Sequence, residues 1–214
     1  MTRIKICGIT RLDDGIAAAR AGADAIGFVF WPGTPRRIDI ERARSIADEL
    51  PPLVSIVGLF VDPTAEEVRA VLDRVPLDVL QFHGHESPAL CRSFGRRYLK
   101  AFAVDQSGRL LESLASYGDA AAWLFDAPPA EGRPGGTGRT FDWSRLPSTL
   151  ERPVVLSGGL NAANVAAAIR ATRPWGVDVS SGVEARDANG RPMAGIKDAQ
   201  KVDAFIREVR NADV

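Results

Sequence analysis

The sequence predicts an α/β fold, a single-domain (β/α)8 barrel of the TIM type over residues 1–214. Three observations predict it. Eight short apolar runs alternate with eight helical patterns, at a spacing of about 25 residues that suits βα repeats. No linker or break in composition divides the chain. Polar or small residues close many of the apolar runs, at the strand ends where barrel enzymes keep their chemistry. A doubly wound open sheet would show the same alternation; the strand count and the strand ends favour closure.

The elements follow in order. The first strand, 4–7, puts Ile4 and Ile6 on one face and Lys5 and Cys7 on the other. In a barrel the apolar face meets the helices and the polar face looks into the lumen. A helix over 12–21 ends at Gly22. Strand two, 25–30, is a nearly continuous apolar run of the kind a parallel sheet buries on both faces. Pro32 and Pro35 make 31–37 a loop, and 40–50 is helical. Strand three, 54–60, is followed by Thr64 and Glu67, spaced as a capping box. Strand four, 79–83, closes at Gly84 and leads to a short helix over 86–94. Strand five (98–104), a helix (110–117) and strand six (122–126) follow. The longest irregular stretch, 127–139, is rich in Gly and Pro, and Phe141-Asp142-Trp143 then leads into a short helical turn. Strand seven, 154–156, stops at Ser157-Gly158-Gly159, and Asn161 opens an Ala-rich helix. Strand eight, 177–179, stops at Ser180-Ser181-Gly182, and 197–210 is the last amphipathic helix.

Composition narrows the function. The hydrophobic share of 45% and the charged share of 25% are ordinary for a globular protein. A formal net charge of +0 favours neither nucleic acid nor an anionic membrane as a partner, so affinity for an acidic ligand must be local. Cys7 and Cys91 lack metal-type spacing. No apolar run is long enough to span a bilayer, and Met1-Thr2-Arg3 leads straight into a strand rather than a leader. The expected location is cytoplasmic, with reduced thiols.

Two consecutive strand ends carry small residues that let backbone amides approach a ligand. Gly158 and Gly159 with Ser180 and Ser181 are therefore the candidate phosphate-binding set, after strands seven and eight. Either half alone also reads as a tight turn. Cys7, His83, Asp126, Asp178 and Ser180 all fall at strand ends on lumen-facing positions. Singly, each has a structural reading: a small buried hydrophobe, a satisfied histidine, a helix-capping aspartate. Together they converge on one barrel mouth.

The candidate catalytic pair is Cys7 and Asp126, on strands far enough apart to admit a substrate between them. One group takes a proton while the other gives one. Lowering a thiol from about 8.5 to about 7 needs roughly 2 kcal/mol, which Lys5, two residues back on the same face, is placed to supply. Raising an aspartate from about 3.9 toward neutrality needs roughly 4 kcal/mol, through burial or a neighbouring anion. Arg36 offers a planar fork for a carboxylate; Arg37 next to it is chemically equivalent. The run Gly135-Gly136-Thr137-Gly138 reads as a mobile flap, a close backbone contact with ligand, or a plain flexible loop.

These residues resemble the phosphoribosylanthranilate isomerases, (β/α)8 barrels of tryptophan biosynthesis, over nearly the whole chain. Lys5-Ile6-Cys7-Gly8-Ile9-Thr10 is similar to the family's opening motif, and Thr34-Pro35-Arg36 to its Ser-Pro-Arg element. Gln81-Phe82-His83-Gly84, Phe125-Asp126, and Gly135-Gly136-Thr137-Gly138 with Phe141 and Trp143 match further elements. Leu156-Ser157-Gly158-Gly159-Leu160 and the run from Asp178 to Glu184 match its two phosphate loops. Thr34, Phe82 and Ser157 stand where Ser, Leu and Ala are usual, and 185–195 is longer than the family pattern leads one to expect.

The resemblance implies the Amadori rearrangement of N-(5'-phosphoribosyl)anthranilate to 1-(2-carboxyphenylamino)-1-deoxyribulose 5-phosphate. Asp126 would be the general acid and Cys7 the general base. Arg36, His83 and Asp178 would bind substrate, with Arg36 on the anthranilate carboxylate. Gly158, Gly159, Ser180 and Ser181 would hold the phosphate. It implies no cofactor and no metal. The partner is a small phosphosugar, not nucleic acid or membrane, and monomer and homodimer both stay open. A histidine-pathway sugar isomerase would be expected to carry aspartate in place of Cys7. The indole-forming synthase of the same pathway would need a catalytic Lys and Glu set that these strand ends do not supply. A non-catalytic phosphosugar-binding barrel would have no need of Cys7 and Asp126 together.

Overall fold

The computed structural model describes residues 1–104, 110–128, 138–147 and 149–213. Eight parallel strands close into a barrel: β1 (Arg3–Cys7), β2 (Ala25–Val29), β3 (Ser55–Phe60), β4 (Val79–Phe82), β5 (Arg97–Ala103), β6 (Ala122–Asp126), β7 (Val154–Leu156) and β8 (Gly176–Val179). β1 pairs with both β2 and β8, which shuts the sheet on itself.

Around it lie α1 (Leu12–Ala21), α2 (Ile40–Glu49), α3 (Ala65–Leu72), α4 (Pro88–Arg92), α5 (Leu110–Ala115), α6 (Val165–Thr172) and α7 (Ala199–Ala212). Local chemistry sets their ends. Gly22 ends α1 in a left-handed conformation, its amide donating to the carbonyls of Ala18 and Ala19. Asp39 caps α2, Ser87 with Pro88 starts α4, and Thr64 with Glu67 forms both halves of the capping box at α3.

The main core is the apolar layer between strands and helices, which includes Ile4, Ile6, Phe28, Phe82 and Phe125. The lumen holds a separate apolar layer of Ala101, Ala122, Leu124 and Val155. Alternation along β1 therefore sends Ile4 and Ile6 outward and Lys5 and Cys7 into the lumen, where Cys7 packs with Val29 and Leu59.

Three expectations need correction. Asn161 does not open a helix: its Oδ1 accepts from the Ala163 amide, and Asn164 Oδ1 accepts from the Asn161 amide. This pair of side-chain turns delays α6 to Val165. The short helical turn expected after Phe141-Asp142-Trp143 is present, as a 3-10 turn over Trp143–Arg145. Residues 184–197 form an antiparallel hairpin of β9 (Glu184–Arg186) and β10 (Pro192–Lys197). The last helix consequently begins at Ala199 rather than at 197, with Asp198 accepting from the amides of Gln200 and Lys201. Of the Gly135–138 run only Gly138 lies among the described residues.

Candidate active site

The C-terminal ends of the strands bring the sequence candidates together. Cys7, Arg36, His83, Asp126, Asp178 and Ser180 line one pocket at the barrel mouth. A second, smaller cavity is lined by Gly158, Gly159, Ser180 and Ser181. The two share Asp126, Ser157, Asp178 and Ser180, so they adjoin at the same barrel mouth.

The smaller cavity depends on backbone shape. Gly158 sits at φ +84°, and a Cβ there would lie 2.6 Å from the Ala127 nitrogen and 3.0 Å from Asp126 Oδ1. Only glycine lets this turn pass so close to the end of β6. Among the described residues the amides of Gly158 and Gly159 donate to no acceptor. Amides gathered at such a turn suit a phosphate.

Asp126, the last residue of β6, is almost fully buried. Its Oδ1 accepts from the Ala127 amide at 2.7 Å, and its Oδ2 lies 3.2 Å from His83 Nε2. His83 Nδ1 in turn lies 3.1 Å from Nε2 of the buried Gln81. A chain Gln81–His83–Asp126 thus fixes the carboxyl orientation from the rim of β4, two strands away.

The register of β1 against β8 places Lys5 directly beside Asp178. Their charges lie 2.8 Å apart, both buried. Burial alone would lower the Lys5 pKa, yet the Asp178 carboxylate and the Cys7 thiol hold it above its usual value. For Cys7, burial pushes the thiol up; Lys5 opposes this and Asp178 adds to it, with a smaller pull toward the thiolate from Lys197. The expected help from Lys5 is present, but it does not overcome burial.

The 31–37 loop separates the two arginines that are equivalent in side-chain chemistry, in favour of Arg36, the one that the Thr34-Pro35-Arg36 resemblance singles out. Ile38 donates to the Val29 carbonyl and Arg37 bridges to Val29, pinning the loop against β2. Arg36 then turns into the pocket, while Arg37 faces an outer groove beside α2 and α3. Arg36 grips Glu184 with two bonds, Nε to Oε1 at 2.7 Å and Nη2 to Oε2 at 2.9 Å. Sequence reasoning missed Gln81, Glu184 and Lys197 as site components. It also missed the apolar wall of Val29, Trp31, Leu59 and Val61. Among the described residues no group of three His, Cys, Asp or Glu is placed to hold a metal ion, and no helix is long and apolar enough to cross a membrane.

Comparison with known proteins agrees with this geometry. The family model for N-(5'-phosphoribosyl)anthranilate (PRA) isomerase matches residues 4–208. The N-(5'-phosphoribosyl)anthranilate isomerase of Alcanivorax borkumensis is 50% identical over 212 residues, which is 99% of this chain and 97% of that protein. The one from Azotobacter vinelandii is 51% identical over 210 residues, covering 98% of each. The crystal structure of phosphoribosyl anthranilate isomerase from Thermotoga maritima superposes with a TM-score of 0.85 at 41% identity, covering 99% of this chain and 100% of that one. A phosphoribosyl anthranilate isomerase in complex with reduced 1-(o-carboxyphenylamino)-1-deoxyribulose 5-phosphate gives a TM-score of 0.82 at 39% identity, with the same coverage. The chain belongs to the N-(5'-phosphoribosyl)anthranilate isomerase family.

Proposed function

We propose that Cys7 and Asp126 divide the acid–base work of this isomerase at the mouth of one barrel spanning residues 1–214. The reaction is the Amadori rearrangement of N-(5'-phosphoribosyl)anthranilate in tryptophan biosynthesis. Near-full-length relatives carrying that name displace the histidine-pathway and non-catalytic readings.

In the proposed sequence Asp126 gives its proton to the ribose ring oxygen. The C1'–O bond breaks and the aryl nitrogen's lone pair closes a protonated Schiff base. The Cys7 thiolate then removes the proton from C2', and the electrons move through C1' to nitrogen, leaving an enolamine. Return of a proton to C1' and loss of the C2' hydroxyl proton give the ketone. Protons gained and lost balance, as an isomerisation requires. Gly158, Gly159, Ser180 and Ser181 hold the phosphate, Arg36 the aryl carboxylate, and Val29, Trp31, Leu59 and Val61 the ring. Asp178 faces the opened sugar, and His83 orients Asp126. Anchoring both ends of the substrate turns binding energy into orientation at C2'.

One observation supports this reading above the others: Cys7 and Asp126 face the same pocket, and Asp126 also lines the adjoining glycine–serine cavity. All the groups named come from one chain, so a monomer or a homodimer would serve equally. A phosphorylated substrate and two free thiols suit the cytoplasm. The test is loss of anthranilate fluorescence, with substrate made in place from anthranilate and phosphoribosyl pyrophosphate by the transferase. Cys7→Ala and Asp126→Asn should each lower turnover by about 10²-fold or more. Turnover by both variants at the parent rate would remove the assignment.

A further inference from the structure

A buried charge cluster lies just behind the pocket, and none of its groups gives or takes a proton in the proposed steps. Glu184 opens β9 and is wholly buried. Besides the two bonds from Arg36, its Oε1 accepts from the Gly195 amide at 2.9 Å and lies 3.4 Å from Lys197 Nζ. Lys197 closes β10, equally buried, and its Nζ donates to the Ser180 carbonyl at 3.0 Å and to Ser180 Oγ at 3.4 Å. One ammonium therefore touches both the carboxylate that holds Arg36 and the residue that lines the phosphate cavity.

The hairpin carrying these groups is itself anchored. Asp14 accepts from the Lys197 amide at 2.9 Å, Thr10 Oγ1 donates to the Gly195 carbonyl at 2.6 Å, and Lys201 Nζ donates to the Glu184 carbonyl at 2.7 Å. Arg36 and Ser180 meet across Gly8: a Cβ there would lie 3.0 Å from Arg36 Cδ and 3.1 Å from Ser180 Oγ. Burying an ion pair is a poor way to gain stability, because desolvation offsets most of the attraction. Fixed orientation of a planar cation is what such a pair provides well.

We propose that Glu184 and Lys197 are positioning residues: Glu184 sets the plane of Arg36 for the aryl carboxylate, and Lys197 ties that plane to the phosphate loop through Ser180. The hairpin thereby fixes the separation between the two anionic ends of the substrate. The inference rests on the reading that Arg36 takes the carboxylate and Ser180 the phosphate.

The test compares two substrates prepared from ribose 5-phosphate, one with anthranilate and one with aniline, which lacks the carboxylate. Glu184→Gln keeps the shape and removes the charge. It should raise KM for the carboxylated substrate about tenfold, as expected for a weakened charge-assisted contact, with little change in kcat. The aniline substrate should be unaffected. Lys197→Met should raise KM for both substrates and weaken competitive inhibition by inorganic phosphate, and Lys197→Arg should restore part of each loss. Equal losses of kcat on both substrates with KM unchanged would mean a structural role and overturn the proposal. If Lys197→Met does not fold, the Glu184→Gln comparison decides alone. Arg36→Met separates the two levels. Loss of discrimination between the substrates in Arg36→Met but not in Glu184→Gln overturns the positioning role only. Unchanged discrimination in Arg36→Met overturns the underlying reading of Arg36.

Discussion

The Lys5 ammonium and the Asp178 carboxylate face each other at 2.8 Å across the β1–β8 seam, beneath the Cys7 thiol. The proposed base therefore feels a cation whose charge is largely cancelled. Lys5 lowers the thiol pKa, Asp178 raises it, and burial, the largest influence, raises it too.

Substitution of either ion should move the base in opposite directions. Catalysis needs the thiolate, so activity falls as pH drops through the thiol pKa. Asp178→Asn removes the opposing anion and should shift the acidic limb of kcat/KM to lower pH. Lys5→Met removes the stabilising cation and should shift it to higher pH. Profiles of the two variants moving together would contradict this electrostatic account.

His83 should act through Asp126. Its Nε2 lies 3.2 Å from Asp126 Oδ2, and hydrogen bonds to charged groups contribute about 1.5–3 kcal/mol. His83→Ala should lower kcat by about ten- to a hundredfold, with a smaller effect on KM. A rise in KM alone at unchanged kcat would assign His83 to binding instead.

Gly158→Ala should damage both functions of the turn. The added methyl group would strike the Ala127 nitrogen and crowd Asp126 Oδ1, at a left-handed φ of +84°. Higher KM, weaker inhibition by inorganic phosphate and lower kcat should appear together. Steady-state kinetics with phosphate as inhibitor measures all three.

A stability prediction comes from the opposite side of the mouth. Lys100 on β5 and Glu86 pair at 2.8 Å, both buried, and Glu86 also accepts from the amides of Gly84 and Asp62. Lys100→Met leaves that carboxylate buried without its cation and should cost about 3–5 kcal/mol, read by urea unfolding. A loss below about 1 kcal/mol, the range of an exposed pair, would show that water reaches the site.

Much of this architecture is legible because barrel strands are short, apolar and closed by small or polar residues. The two-residue period alone assigns Lys5 and Cys7 to the lumen and Ile4 and Ile6 to the outer core. What is not legible depends on long-range pairing. Side-chain chemistry does not distinguish Arg36 from Arg37; a motif resemblance picks Arg36, and the bridge to Val29 that sets the loop gives the physical reason. Glu184 and Arg36 are 148 residues apart in sequence, and nothing local to either signals the other. The β9–β10 hairpin is obscured by Pro192 and Gly195, which weaken a strand pattern. Asn161 misleads because a good helix cap is an equally good turn residue.

The central claim, that the Cys7 thiolate removes the C2' proton, is tested most directly by the pH dependence of kcat/KM in the parent and in Cys7→Asp. A carboxylate in place of the thiol keeps a base at the end of β1 but titrates far lower, near 3.9 in an ordinary setting. The account predicts a slower enzyme whose acidic limb moves down by several pH units. An acidic limb at the same pH in both proteins would show that another group removes the proton.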